Sequence, residues 1–181
     1  QGPMHSQSLE TLFSYIPGLK VVMPATAEDC KGMLLSAIED NNPVVFLEHR
    51  WVHYVKANIP HGYLKMPIDG PKRLWEGDAV TVVSSSYMSL EALHAAKVLS
   101  EEGCDVDLFD LRVVRPLNLE GIVSSVKKTG RLLVVDTGWK TMGPGAEIVA
   151  QVVEHCFDSL KRPPQRLGLP DHPTPSSRSL V

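Results

Sequence analysis

The chain has 181 residues, 43% of them hydrophobic, and a formal net charge of −3. This length and apolar content are sufficient for one or two globular domains. Because lysine and arginine residues are interspersed with aspartate and glutamate, the charge pattern excludes nucleic acid and anionic membranes as expected partners.

The cysteines and the apolar runs narrow the class of protein further. The sequence contains three widely spaced cysteines: Cys30, Cys104 and Cys156. Their odd number and wide spacing favour small buried side chains over a disulfide framework or a zinc knuckle. We therefore expect a reducing compartment. No apolar run approaches the ~20 residues that span a bilayer, and no leader opens the chain, which predicts a soluble protein. Either end of the sequence could be a cut through a longer chain.

The first predicted element is a loop that enters a helix. His5 precedes a polar step at residues 6–8, and apolar residues then follow at helical spacing: Leu9, Leu12, Phe13 and Ile16. A loop in this position could present the imidazole to a cleft. On spacing alone, an ordinary exposed or capping histidine is the more frequent outcome.

Residues 20–48 predict a βαβ unit with parallel strands. Residues 20–24 form a short apolar run closed by proline, and residues 44–48 form a second one. Between them, Thr26 and Asp29 match a capping box that starts a helix. The predicted apolar stripe of this helix is Cys30, Leu34, Ala37 and Ile38.

The stretch from residue 49 to residue 78 lacks periodicity and is rich in proline and glycine. It predicts an inter-domain connector without a helix, with the boundary near residues 71–77. His49 and His53 are spaced so that they could ligate a metal if they lay on a helix. No carboxylate or thiol nearby completes a tetrahedral set, so an irregular surface segment is the better interpretation.

The second half of the chain alternates between predicted strands and helices. The strands are expected at residues 79–83, 106–111, 131–136 and 165–169, and the helices at residues 89–102, 119–128 and 145–157. This alternation is typical of a separate, mostly parallel sheet that is covered on both faces.

Two motifs in this half carry charge or backbone donors. A helix opens at Gly143-Pro144-Gly145, where a phosphate could meet backbone N–H groups. The full G-x-G-x-x-G is absent, so a tight turn with close helix–strand packing is favoured. Arg112 and Arg115 follow a strand, at the edge where open α/β sheets bind ligands or partners. Arg112 could equally pair with a carboxylate across a domain interface.

Segments along nearly the whole chain, in order, resemble one family. Residues 2–8, 16–24 and 37–48 closely resemble the β subunit of thiamine-diphosphate-dependent 2-oxo acid dehydrogenases, the E1 component. Residues 110–117, 127–131 and 143–148 resemble the transketolase C-terminal domain of the same subunit. The connector at residues 49–72 matches least.

The resemblance implies a fold and a domain division. We expect an α/β protein, in which the end of a pyrimidine-binding α/β domain is followed by a transketolase C-terminal-type α/β domain with a mostly parallel sheet. The first part would comprise residues 1–70, including the connector, and the second residues 71–181, without the family's terminal helix. The family's earlier stretch, with the glutamate that hydrogen-bonds the aminopyrimidine ring, is expected to lie outside this sequence.

The resemblance also implies site residues. His5 matches the family histidine that faces the reactive thiazolium carbon, where it would orient or protonate the substrate carbonyl oxygen and assist acyl transfer to a lipoyl group. A potassium site in many members is ringed by backbone carbonyls and a carboxylate at positions that match Ala37, Ile38, Asp40 and Asn42. A well-capped helix end is the equal alternative.

The function implied is that of part of an E1 β subunit. With an α subunit and thiamine diphosphate, whose magnesium is held mainly by the α subunit, it would oxidatively decarboxylate a 2-oxo acid and pass the acyl group to the lipoyl carrier of an E2 partner. The expected assembly is α2β2, with a second β subunit, in the bacterial cytoplasm or the mitochondrial matrix. The isolated chain should be inactive. A transketolase-like transferase and a non-catalytic subunit-association module remain the alternatives.

Overall fold

The computed structural model describes residues 5–174 and residue 177. Its α-helices are α1 (Glu10–Ser14), α2 (Ala27–Ile38), α3 (Tyr87–Glu101), α4 (Glu120–Thr129) and α5 (Pro144–Cys156). Its strands are β1 (Lys20–Val22), β2 (Val44–Phe46), β3 (Lys72–Trp75), β4 (Thr81–Ser84), β5 (Asp107–Asp110), β6 (Val113–Arg115), β7 (Leu132–Trp139) and β8 (Gln165–Leu169). Short 3₁₀ helices lie at Arg50–Tyr54 and Phe157–Ser159. Among the described residues, no helix is long and apolar enough to cross a membrane.

The βαβ unit predicted near the start of the chain is confirmed. Strands β1 and β2 are parallel neighbours, and α2 connects them. The Thr26 hydroxyl caps α2, because its Oγ1 accepts a hydrogen bond from the Asp29 N–H at 3.1 Å and donates one to Asp29 Oδ2 at 2.6 Å. These strands form a sheet with the order β2-β1-β6, in which β6 runs antiparallel to β1.

The prediction of which face of α2 is buried is wrong. Leu34 and Ile38 are exposed, whereas Gly32, Met33 and Ser36 are buried. The reason is that the connector packs on this helix: a Cβ on Gly32 would lie 2.4 Å from the side chain of Met66. The Ser36 hydroxyl donates to the Met66 carbonyl, and the Met66 N–H donates to the Gly32 carbonyl at 3.1 Å. Small and polar side chains therefore allow the close approach.

The larger sheet has the order β3-β5-β4-β7-β8, and its strands are parallel except for β3. Helices cover both faces. Val83, Phe109 and Val134 point to the face that α4 and α5 cover, and their core includes Ile122, Val126, Ile148 and Val152. Val82, Leu108 and Val135 point to the face of α3 and pack with Ala96. The predicted α/β class with a mostly parallel sheet is confirmed.

Two strands and a 3₁₀ helix were not predicted. The connector contains the 3₁₀ helix at Arg50–Tyr54 and strand β3, which pairs antiparallel with β5 at the edge of the larger sheet. The chain leaves the larger sheet directly after β5, and the next strand, β6, pairs with β1 in the smaller sheet. The two strands pair only with distant parts of the chain, so local periodicity does not reveal them.

A buried ion pair joins the two halves of the chain. Arg112 Nη1 lies 3.0 Å from Asp29 Oδ1, and the Arg112 Nε and Nη2 groups donate to the Gly70 carbonyl at 3.2 Å and 2.9 Å. The Asp29 side chain is fully buried, and Lys72 Nζ lies 3.2 Å from its Oδ2. Burial alone would raise the pKa of Asp29, but the Thr26 hydroxyl, Lys72 and Arg112 together hold it below its usual value. The ion-pair interpretation of Arg112 is therefore confirmed.

Candidate functional site

His5 lies exposed in a turn that leads into α1. Residues 2–4 of the segment that carries the resemblance, and residues 175, 176 and 178–181 at the other end, lie outside the described residues. The imidazole is therefore accessible for proton transfer, and its position depends on what holds the turn. Ser8, three residues further on, makes side-chain contacts that link this segment to the rest of the chain.

Ser8 and Glu10 attach this segment to the second half of the chain. The Ser8 hydroxyl donates to Glu10 Oε2 at 2.7 Å and lies 3.2 Å from the hydroxyl of Thr137, which is on β7. Glu10 is only 3% exposed although its side chain is acidic. The Ser14 hydroxyl donates to the Glu10 backbone carbonyl at 2.7 Å and closes the short helix. The turn that bears His5 is thus bonded to the sheet of the other half.

The end of β7 is shaped to receive the Glu10 carboxylate. A Cβ on Gly138 would lie 2.9 Å from Glu10 Oε1 and 3.4 Å from Ser8 Cβ. Beside it, Asp136 Oδ1 accepts a hydrogen bond from the Gly138 N–H at 3.2 Å. Burial, and then the charge of Glu10, raise the pKa of Asp136 to about 6. Two acidic side chains therefore meet at the carboxyl end of this strand.

The apolar stripe predicted for the first helix is only partly correct. Phe13 packs against the core, but Leu9, Leu12 and Ile16 are exposed, and the buried residue of α1 is Glu10. Burial of an acid is tolerated here because Ser8 donates to it. Sequence reasoning missed Ser8, Glu10 and Thr137. No local signal marks them, because Glu10 lies beside Thr11 and outside the predicted apolar stripe.

The four residues expected around a potassium ion lie at the carboxyl end of α2. Ala37 and Ile38 form its last turn, and the Ala37 carbonyl accepts only a long bond, 3.4 Å, from the Asp40 N–H. The Asp40 carboxylate is already occupied: Oδ2 pairs with the Lys20 ammonium, and Oδ1 accepts two bonds of 2.9 Å from the Asn42 backbone and side-chain amides.

Lys20 and then Asn42 lower the pKa of Asp40 to about 2. A cation at this point would therefore use backbone carbonyl oxygens, which suit a hard ion, and would gain nothing new from the carboxylate.

The remaining candidates from the sequence have structural explanations. The His49 Nδ1 accepts from the Trp51 N–H at 3.2 Å, and its ring stacks on Tyr87 at 5.2 Å between centroids. Burial, and then the charge of His53, lowers the pKa of His49. A Cβ on Gly145 would lie 3.2 Å from Val134 Cγ1, which agrees with close helix–strand packing. Over residues 5–174 and 177, no cluster of histidine, cysteine or acidic side chains has the form of a metal site.

Comparison with family models matches all of the chain except residues 53–70. Residues 71–181 match the transketolase C-terminal domain, and residues 1–52 match the transketolase pyrimidine-binding domain. A solved structure described as a split-gene transketolase, an inactive β4 tetramer, has a TM-score of 0.78 with 24% sequence identity. It aligns with 99% of this chain and 57% of its own. This likeness supports the fold.

Curated relatives are more similar in sequence. The pyruvate dehydrogenase E1 component subunit β of Rickettsia bellii is 42% identical over 176 residues, which are 97% of this chain and 54% of that subunit. The β subunit of the acetoin:2,6-dichlorophenolindophenol oxidoreductase of Cupriavidus necator is 39% identical over 97% of this chain and 52% of its own length. The chain spans about half the length of the curated relatives it matches.

Proposed function

The chain belongs to the transketolase family, whose C-terminal domain it matches over residues 71–181, and from this membership we propose that it acts as part of an E1 β subunit. In this role it serves a 2-oxo acid dehydrogenase that decarboxylates its substrate and transfers the acyl group to a lipoyl carrier. Residues 1–70 are the end of the pyrimidine-binding domain with its connector, and residues 71–181 are the C-terminal domain. The similarity to β subunits named for pyruvate and for acetoin supports this assignment.

The observation that carries the proposal is the placement of His5. It is an exposed imidazole in a turn bonded to the C-terminal half through Ser8 and Thr137. A histidine titrates near neutral pH, so it can donate a proton and take it back under physiological conditions. An accessible imidazole on a fixed turn has the properties that a general acid requires.

The cofactor is thiamine diphosphate, which supplies the carbanion chemistry of decarboxylation when it is bound. The role of this chain is proton handling: the His5 imidazole orients or protonates the carbonyl oxygen of the substrate and assists acyl transfer to the lipoyl group. The groups that hold the diphosphate and its magnesium belong to the α subunit in this proposal. This division agrees with the described glycines at residues 143 and 145, which serve close packing.

A potassium ion is the second ligand in the proposal. It would be held at the end of α2 by the backbone oxygens of Ala37, Ile38 and Asp40, with the Asn42 side chain nearby. The last carbonyls of a helix lack intrahelical partners and carry the negative end of its dipole, which favours a cation. The role of such an ion would be to fix this helix end and the strand that follows.

The proposed partners are an E1 α subunit, a second β subunit in an α2β2 assembly, and the lipoyl domain and core of E2. Large apolar side chains are exposed on the first half of the chain, including Leu12, Tyr15, Leu34, Ile38 and Trp51. Exposed apolar surface of this kind is typical of subunit interfaces. The compartment would be the bacterial cytoplasm or the mitochondrial matrix.

Reconstitution tests the proposal. The intact β subunit is assembled with an α subunit, thiamine diphosphate and magnesium, and its turnover of pyruvate, a branched-chain 2-oxo acid and acetoin is measured. We expect turnover of one of these by the assembly and none by the 181-residue chain alone. Ketol transfer between sugar phosphates instead would favour a transketolase-like transferase. If an assembly whose β subunit carries His5→Ala turns over its substrate at the normal rate, a non-catalytic module would be favoured.

A further inference from the structure

We propose that Ser8, Glu10, Thr137 and Gly138 form a latch that positions the His5 turn on the C-terminal half of the chain. These four residues are named the Ser8 latch. The inference rests on the proposed role of His5. It assigns positioning residues to that role, and it makes the C-terminal half responsible for the geometry of a proton donor that lies in the other half.

The hydrogen bonds of the latch have a fixed direction. The Ser8 hydroxyl has one proton, and it is donated to Glu10 Oε2 at 2.7 Å. The contact of 3.2 Å between the Ser8 and Thr137 hydroxyls must then use the Thr137 proton. A chain of hydrogen bonds therefore runs from Thr137 on β7, through Ser8, to the carboxylate of Glu10, a residue that is only 3% exposed. Hydrogen bonds to a charged acceptor are stronger than those between neutral groups.

The latch acts on His5 because the chain between them is short. Three residues at about 3.3–3.6 Å each confine the His5 Cα to within about 11 Å of the Ser8 Cα. Loosening of Ser8 therefore widens the range of positions that the imidazole can occupy. A displacement of about 1 Å of a group that must meet a reacting atom can reduce the rate roughly 10²-fold.

Gly138 completes the latch by leaving space for the Glu10 carboxylate. A methyl group at this position would lie 2.9 Å from Glu10 Oε1 and 3.4 Å from Ser8 Cβ. Since the first contact is closer than a carbon atom normally allows, the carboxylate or the strand must move. Gly121 offers a matched control, because the nearest atom to a Cβ there is 3.7 Å away, on the Phe109 ring.

The test uses the intact β subunit assembled with its α subunit and cofactor. Thr137→Val removes the donor hydroxyl at nearly constant shape, and Thr137→Ser restores it. Gly138→Ala disturbs the Glu10 seat, and Gly121→Ala is its control. We expect Thr137→Val and Gly138→Ala to lower kcat about 10–100-fold with KM changed less than about threefold. Thr137→Ser and Gly121→Ala should remain near the wild-type rate.

A double-variant cycle with His5→Ala separates positioning from general structure. If the latch acts through His5, Thr137→Val should cause no further fall in kcat in a protein that already carries His5→Ala. An equal loss of rate with and without His5 would overturn the proposal, as would a wild-type rate for Thr137→Val.

Amide hydrogen exchange of residues 5–14 gives a readout that does not depend on turnover. We expect faster exchange in Thr137→Val and Gly138→Ala, and unchanged exchange in Gly121→Ala. Unchanged exchange in both latch variants would overturn the latch whatever the kinetics. A normal rate for His5→Ala together with faster exchange in the latch variants would instead refute the proposed role of His5 and leave the latch as a structural contact.

Discussion

Replacing Arg112 by methionine tests whether the buried ion pair joins the two halves of the chain. Arg112 is 7% exposed, and its partner Asp29 is fully buried, so the substitution leaves a carboxylate without its guanidinium. It also removes both bonds to the Gly70 carbonyl. Breaking a buried pair in this way costs about 3–5 kcal/mol. At the low end this corresponds to a fall in Tm of roughly 6–12 °C for a chain of this size.

The assay is denaturation of the intact protein by urea and by heat at neutral pH, with Lys72→Met as the matched control. Lys72 also contacts Asp29, but its side chain is 34% exposed, so its loss should cost about 1 kcal/mol or less. Adding Asp29→Asn to Arg112→Met should recover part of the loss, because the uncompensated charge is then gone. A loss below about 1 kcal/mol for Arg112→Met, or one equal to that of Lys72→Met, would refute this reasoning.

Two further predictions concern protons and ions. Burial raises the pKa of Asp110 to about 7, above its unfolded value of about 3.9. Between about pH 4 and pH 7 the carboxyl group is therefore protonated in the folded state and ionised in the unfolded state. The free energy of unfolding falls as pH rises through this range. Asp110→Asn should remove this fall, so its stability relative to wild type should increase from pH 5 to pH 7; parallel profiles would contradict the assignment. Potassium chloride should raise the Tm of the intact protein above that in choline chloride at equal ionic strength, because an ion bound only to the folded state stabilises it. Equal Tm values would remove the potassium site from the account.

Local signals in the sequence were sufficient for the regular parts of the fold. Thr26 and Asp29 predicted the start of α2, since the Thr26 hydroxyl accepts a hydrogen bond from the free Asp29 N–H of the first turn and donates to the Asp29 carboxylate. In the second half, predicted strands alternate with predicted helices, and this order predicted the mostly parallel sheet. Strands of such a sheet are buried on both faces and are therefore continuously apolar.

Features that depend on distant partners were not predictable in this way. Strands β3 and β6 pair with β5 and β1, so nothing in their own short sequences specifies them. The exposed face of α2 is decided by the connector at Met66, and the burial of Glu10 by Ser8 and Gly138. His5 was identified by the resemblance of its segment alone. Its attachment to Thr137 required the three-dimensional arrangement.

The central claim is that His5 handles protons in an E1 active site, and acylation of a lipoyl domain tests it most directly. The intact β subunit, wild type or carrying His5→Ala, is assembled with the α subunit, and the rate of 2-oxo-acid-dependent acyl transfer to a lipoyl domain is measured. His94→Ala is the control, because this histidine is exposed on α3. We predict that His5→Ala lowers the rate on the order of 10²–10⁴-fold, while His94→Ala leaves it unchanged. A wild-type rate for His5→Ala in a fully assembled enzyme would contradict the claim.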